Sequence, residues 1–326
     1  MASFIHSILR ANALIAADGD EVVDLPVNPL SAILLHLSPL NECTAETTYS
    51  FLKGLLAALV SIRVSHKGSA VVDLNGYDLA MVALLYHKVG LFQAGADRTD
   101  DDRRSLTIPI LFGRKAYMPS ECFPETKKGE MQLSITWDIA AAAYDGLRRS
   151  IETIELPEAT PDFVQKVTTL AQTFAATGQN DVDLPIGNVI RAILLWGTTG
   201  FAGAAPTPTW GQVELMRDNR QTHYSATDFE VSKAIAGLCG CTYPPSQDHI
   251  HGANFPGVAY ADTEEMQTSE SKEELYTLLH LDPTGDDLYS LVTEGAGRVN
   301  VRCDAEAADA VRVLPIERVP VATYLD

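Results

Sequence analysis

The chain repeats itself. Residues 4–26, FIHSILRANALIAADGDEVVDLP, align without a gap on residues 163–185, FVQKVTTLAQTFAATGQNDVDLP, at an offset of 159. Eight of the 23 positions are identical: Phe4 with Phe163, Ala16 and Ala17 with Ala175 and Ala176, Gly19 with Gly178, and Val23 to Pro26 with Val182 to Pro185. Self-similarity at so long a period restricts the chain to architectures made of two copies of one unit. At 326 residues, each copy is the size of an ordinary domain.

The match continues through the unit. VNPLSAILL (27–35) lines up with IGNVIRAILL (186–195) after one inserted residue, and both read as buried, β-branched strands. Ser61-Ile62-Arg63-Val64 followed by Lys67-Gly68 corresponds to Gln212-Val213-Glu214-Leu215 followed by Asp218-Asn219, each predicting strand, turn, strand. DLAMVALLYHKVG (78–90) and DFEVSKAIAGLCG (228–240) predict equivalent short helices, opened by Asp at the N-cap and stopped by Gly. MQLSITWD (131–138) pairs with GRVNVRCD (297–304), and RRSIETIEL (148–156) with AVRVLPIERV (310–319), as alternating and closing strands.

The leading segments carry helical spacing. Phe4, Ile5, Ile8 and Leu9 form one apolar stripe, and Pro161-Asp162 precede Phe163, Val167, Leu170 and Phe174 at the spacing of a second. The expected fold class is therefore all-β with short helices: two tandem eight-stranded sandwiches, each preceded by a helix that packs on its own barrel. The division is expected at 157–161, giving units 1–160 and 161–326. Two sandwiches copied from one sequence still have edges and apolar faces to hide, against each other or against further copies.

Charge narrows the partners. With 43 Asp and Glu against 24 Lys and Arg, the net charge of -19 repels phosphate backbones, so direct nucleic-acid binding is not expected. No basic segment precedes an apolar run at Met1-Ala2-Ser3, and the apolar runs at 32–35 and 55–60 fall short of the ~20 residues that span a bilayer, so synthesis in a cytoplasm is expected. The five cysteines, 43, 122, 239, 241 and 303, form no zinc-type spacing and are expected as buried free thiols.

A catalytic constellation is sought and not expected. His249-Ile250-His251 has the H-x-H of cupins, but the flanking places hold Tyr243 and Gly-Ala-Asn-Phe-Pro-Gly (252–257), with Glu264 and Glu265 too late. Gly197 to Gly203 and Gly295-Ala296-Gly297 lack the residues of a phosphate-binding loop and read as turns. Asp100-Asp101-Asp102, beside Arg103 and Arg104, reads as an exposed charged loop, and Asp286-Asp287 is one of many acidic pairs. Trp137, Trp196 and Trp210 read as packing residues. No metal and no cofactor is expected, and the chain is expected not to be an enzyme.

The tandem repeat, the run ILLWGTTG…TPTWGQVELMRDNRQTHYSATDF and the ending VNVRCDAEAADAVRVLPIERV together resemble the double jelly-roll major capsid proteins of tailless icosahedral viruses, over roughly residues 20–320. That lineage includes adenovirus hexon and membrane-containing bacteriophages. The resemblance implies a structural protein whose three copies form a homotrimer with a nearly hexagonal outline of six upright jelly rolls. Such trimers tile a virion shell against neighbouring capsomers, with penton and minor capsid proteins as further partners. It also implies that the segment bearing Phe4, Ile5, Ile8 and Leu9 can lie on the inner face, towards an internal lipid membrane. Two other readings remain open on the residues alone: a carbohydrate-binding or carbohydrate-active double β-sandwich, and a metal-dependent bicupin enzyme.

Overall fold

The computed structural model describes residues 3–41, 55–94, 103, 105–139, 144–198, 209–241 and 275–325. It divides into two compact units, Met1–Thr168 with Arg318–Asp326, and Thr169–Glu317. The expected division at 160/161 differs from this one in two ways: the strand following the repeat boundary stays with unit 1, and the end of the chain returns to it.

Unit 1 contains β1 (Ile5–Leu14), β2 (Gly19–Asp24), β3 (Leu30–Asn41), β4 (Leu59–His66), β5 (Ser69–Leu74), β6 (Phe92–Ala94), β7 (Ser105–Leu111), β8 (Met131–Trp137), β9 (Tyr144–Glu155) and β10 (Phe163–Thr168). One sheet runs β1-β9-β3-β7-β6, the other β10-β5-β4-β8-β2. Alternate residues of both sheets are fully buried, among them Ile33, Leu35 and Leu37 on β3, Ile62 and Val64 on β4, and Leu133 and Ile135 on β8.

Unit 2 contains β11 (Leu170–Thr173), β12 (Gly178–Asp183), β13 (Val189–Gly197), β14 (Trp210–Arg217), β15 (Gln221–Ala226), β16 (Tyr276–His280), β17 (Leu291–Val292), β18 (Val299–Ala305) and β19 (Ala310–Pro320) up to Glu317, the last three residues of β19 belonging to unit 1. β16, β13 and β19 are neighbours, with β11 on β19 and β17 on β13, and the second sheet runs β12-β18-β14-β15. Ile193, Leu195 and Val313 from the first sheet meet Val182, Val213, Leu215 and Val301 from the second in one core.

Strand for strand, the order β1-β9-β3-β7 is repeated as β11-β19-β13-β16, and β5-β4-β8-β2 as β15-β14-β18-β12. The agreement reaches single hydrogen bonds. Ile15 N–H donates to Leu147 O (2.9 Å) as Phe174 does to Asp309 O (2.8 Å), and Leu25 to Met131 O (3.0 Å) as Leu184 to Val299 O (2.8 Å). Both first hairpins slip register at the same place, Val64/Ser65 and Leu215/Met216. Both turn through two left-handed residues, Lys67-Gly68 (φ 48 and 83) and Asp218-Asn219 (φ 55 and 53), the backbone that matches strand twist in a two-residue hairpin. From each turn an N–H donates 2.8 Å to the start of the eighth-strand equivalent, Lys67 to Glu130 O and Asp218 to Arg298 O.

The two leading helices are not there. Residues 5–14 and 163–173 are strands. The apolar spacing fits 3.6 residues per turn, yet β9 and β19 each leave a line of backbone donors and acceptors that needs a partner, and a helix cannot supply one. β1 satisfies β9 from Ile5↔Glu155 to Leu14↔Arg148, and β11 satisfies β19 from Leu170↔Val313 to Thr173↔Ala310. The β-branched residues Val164, Val167, Thr168, Thr169 and Thr173 already favour the pleated alternative.

Of the two internal helices, α2 (Phe229–Leu238) starts as expected, with the Asp228 carboxylate accepting from Val231 N–H. α1 (Gly76–Met81) starts three residues early: Asn75 is its cap, accepting from Asp78 N–H at 2.8 Å, and Asp78 is a buried first-turn residue. A single π-helical stretch, Val82–Tyr86, continues it and stops short of Gly90.

Candidate assembly surfaces

An asparagine just ahead of the third strand of each repeat is a brace. Asn28 and Asn188 match in the alignment, and so do Glu155 and Glu317. In unit 1 Asn28 Nδ2 donates to Glu155 Oε2 (2.7 Å), and in unit 2 Asn188 Nδ2 donates to Glu317 Oε2 (2.6 Å). Both glutamates are buried. A buried carboxylate is tolerable only when hydrogen-bonded, so this pair fixes where the closing strand meets the strand beside it. In unit 1 Ser7 Oγ on β1 also donates to Glu155 Oε1 (2.5 Å).

Three residues further on, Ser31 matches Arg191, and each anchors the long loop ahead of the eighth-strand equivalent. Ser31 Oγ accepts from Tyr117 N–H (2.9 Å). Arg191, fully buried, instead grips Asp287 with Nε to Oδ1 (2.7 Å) and Nη2 to Oδ2 (3.0 Å). Inside that second loop Asp287 N–H donates to Asp282 Oδ1 (2.8 Å), and Leu288 N–H to Asp286 Oδ1 (3.0 Å). Tyr117 (φ 61) and Asp287 (φ 62) both adopt left-handed backbone, which costs energy for a residue other than glycine.

The sequence-flagged residues lie on the open edge of unit 1. Phe4 (60% exposed), Ile5 (42%) and Ile8 (66%) face solvent, and Leu9 is half-buried. His6 pairs with Ile154, and Ile154 with Ala32, placing His6 on the sheet face that carries Ala32, Ile154 and Leu111 and lies opposite the core residue Ile33. On that face Phe4, His6 and Tyr117 form an aromatic cluster, with Phe4 edge-on to Tyr117 at 5.4 Å and His6 Nε2 hydrogen-bonded to Tyr117 OH at 2.7 Å.

Solved structures share this architecture. The chain is similar to the major capsid protein P2 of bacteriophage PM2, with a TM-score of 0.62 and 13% identity over 98% of this chain and 97% of that one. It is equally similar to the major capsid protein of Sulfolobus Turreted Icosahedral Virus, at 0.62 and 13% over 98% and 97%. The Faustovirus major capsid protein follows at 0.58 and 7%, over 98% and 90%. The fold is the double jelly roll. No family model and no curated protein sequence matches the chain, so the likeness lies in the backbone path.

Among the described residues no group of three His, Cys, Asp or Glu could hold a metal, and His249, His251, Glu264, Glu265 and Asp100 to Asp102 lie outside them. Burial pushes the thiols of Cys122 and Cys303 up to about 12, far from a nucleophile's range. Burial likewise holds His87 down to about 4, and its ring contacts Gln165 Nε2 (3.0 Å) at the wall of a small, mostly apolar pocket. For sugar stacking, Trp137 and Trp210 are buried, and the Trp196 face is covered by the Arg312 guanidinium at 3.5 Å.

Proposed function

We infer that this protein is a structural building block of an icosahedral virion shell, a major capsid protein that acts by assembling and not by catalysis. The observation that carries the reading is the coverage: both jelly rolls, in order and nearly end to end, correspond to viral major capsid proteins. On this reading the duplication of residues 1–160 as 161–326 serves a purpose. Three copies present six similar barrels, so a threefold particle acquires a nearly hexagonal outline and can sit among six neighbours. The homotrimer is the stable unit, neighbouring capsomers are its lateral contacts, and penton and minor capsid proteins close the shell. The protein is made in the host cytoplasm and resides in the virion.

The open apolar edge at Phe4, Ile5, Ile8 and Leu9 then belongs to the inner side of the shell, towards an internal lipid membrane. Sedimentation of the purified full chain tests the central statement. A particle of three chains at micromolar concentration is expected, and a monomer at every concentration would end the reading. Ile5→Ser with Ile8→Ser, which leaves Phe4 in place, tests the inner-face assignment: the trimer persists while association with lipid vesicles is lost.

A further inference from the structure

The two braced loops differ in a property that the duplication did not preserve, their charge. Residues 112–130 carry four basic and three acidic side chains, whereas residues 281–298 carry one basic and four acidic. Each loop nevertheless holds large side chains out in solvent: Tyr117 (45% exposed) from the first, Leu288 (69%) and Tyr289 (62%) from the second. Neither display is a slack tip. Tyr117 is held in left-handed backbone by Ser31, and the second loop is stapled to the sheet through Asp287 and the buried Arg191. Rigid, exposed aromatic and aliphatic anchors with charge beside them are the form taken by central interface residues, because they surrender little freedom on docking.

We propose that these loops are the two halves of one contact between copies of this chain: the acidic Leu288–Tyr289 loop of one copy seats on the Phe4–His6–Tyr117 cluster of the next, beside the exposed Lys115. This rests on the self-assembly reading and adds to it the surfaces that meet. Charge selects the pairing. Two acidic loops brought together repel, and so does the chain at large with its net charge of -19, so the loop with more basic than acidic groups is where an acidic loop is least opposed. A contact between unlike surfaces is head-to-tail, and its repetition builds a ring or a chain of copies instead of stopping at a twofold dimer.

One-sided variants of the full chain test this. Tyr117→Asn with Lys115→Glu disables the first surface, and Leu288→Ser with Tyr289→Ser disables the second. All four side chains are exposed, so unchanged thermal unfolding and circular dichroism are expected. In sedimentation each variant alone is expected to associate at least about tenfold more weakly than wild type. A mixture of the two is expected to form a complex of two copies and nothing larger, since each retains one good surface. Lys115→Glu alone is expected to weaken association in a salt-dependent manner, which keeps the test open if Tyr117→Asn misfolds. Unimpaired association of the Leu288→Ser, Tyr289→Ser variant beside an assembling wild type overturns the proposal and leaves self-assembly standing. A wild type that stays monomeric overturns both. Retained association with loss of binding to phosphatidylcholine vesicles assigns the loop to a lipid surface and likewise overturns it.

Discussion

Ser31 in unit 1 and Arg191 in unit 2 occupy one place in the repeat and perform one task with different chemistry. The first accepts a single backbone hydrogen bond from Tyr117; the second closes a buried, two-pronged ion pair on Asp287. Three positions earlier in the same strand-entry segment, by contrast, Asn28–Glu155 and Asn188–Glu317 are copies of one another. The strands and the bonds that close each barrel stayed fixed, while the fastenings of the surface loops diverged. Barrel closure is a requirement on both units alike, whereas each loop answers only to what it meets.

Five substitutions, in three comparisons, probe that contrast. The largest effect is expected from Arg191→Ala, which leaves Asp287 and its loop without their guanidinium at a cost of about 3–5 kcal/mol, against about 1 kcal/mol for Ser31→Ala. Denaturant unfolding followed by the fluorescence of Trp196 and Trp210 measures the first. Equal losses at the two positions would break the claim that unit 2 depends on its brace more heavily.

Next come Asn28→Ala and Asn188→Ala, each expected to cost about 1–3 kcal/mol by leaving a buried carboxylate short of a donor. Similar losses sharpen the view that duplication preserved this bond for its energy; a loss confined to one unit would show that the other copy is a relic.

The smallest effect is at Asp181, whose counterpart in the first repeat is the exposed Val22. Hydrogen bonding from Arg302, with the charges of Arg302 and Arg298, holds the Asp181 carboxyl below the ordinary carboxylate range. A depressed folded pKa means that the stabilisation is complete above the unfolded value of about 4 and drains away as pH falls through the lower folded one. Asp181→Val is therefore expected to lose about 0.5–1 kcal/mol at pH 7, with the two proteins converging in acid. A gap that persists undiminished at pH 2 would assign the effect to packing.

Much of the architecture could be read from residues because a copied unit states its own register twice. Matching Lys67-Gly68 with Asp218-Asn219 locates the hairpin turn without any outside reference, whereas matching Met131 to Asp138 with residues 297–304 finds the strand but sits two residues out of register, since Met131 takes the place of Val299. The opening strands read as helices because a stripe such as Phe163, Val167, Leu170, Phe174 satisfies a helical period, and the deciding fact, an unpaired strand 137 to 143 residues further along the chain, is not local. The stripe at Phe4, Ile5, Ile8 and Leu9 is expected from its spacing to pack on its own barrel, whereas the structure leaves Phe4, Ile5 and Ile8 exposed on an edge strand. Tyr117, Leu288 and Tyr289 were not legible, since residues 112–130 and 281–298 do not align. The Asn28 and Asn188 braces do carry a signal in the sequence, an asparagine held in both copies amid apolar neighbours.

The last nine residues carry a consequence for how this gene can change. Val321 N–H donates to Asp162 O (3.0 Å), and the Tyr324 ring lies against Phe123 (5.1 Å) and His66 (6.0 Å), while β10 lies parallel to β5 through Val167↔Val72. The first barrel is thus finished only after translation has passed through the second. A recombination event at residue 160 exchanges no self-sufficient cassette, and whatever single-barrel ancestor was doubled has been sewn past the point where cutting would return it.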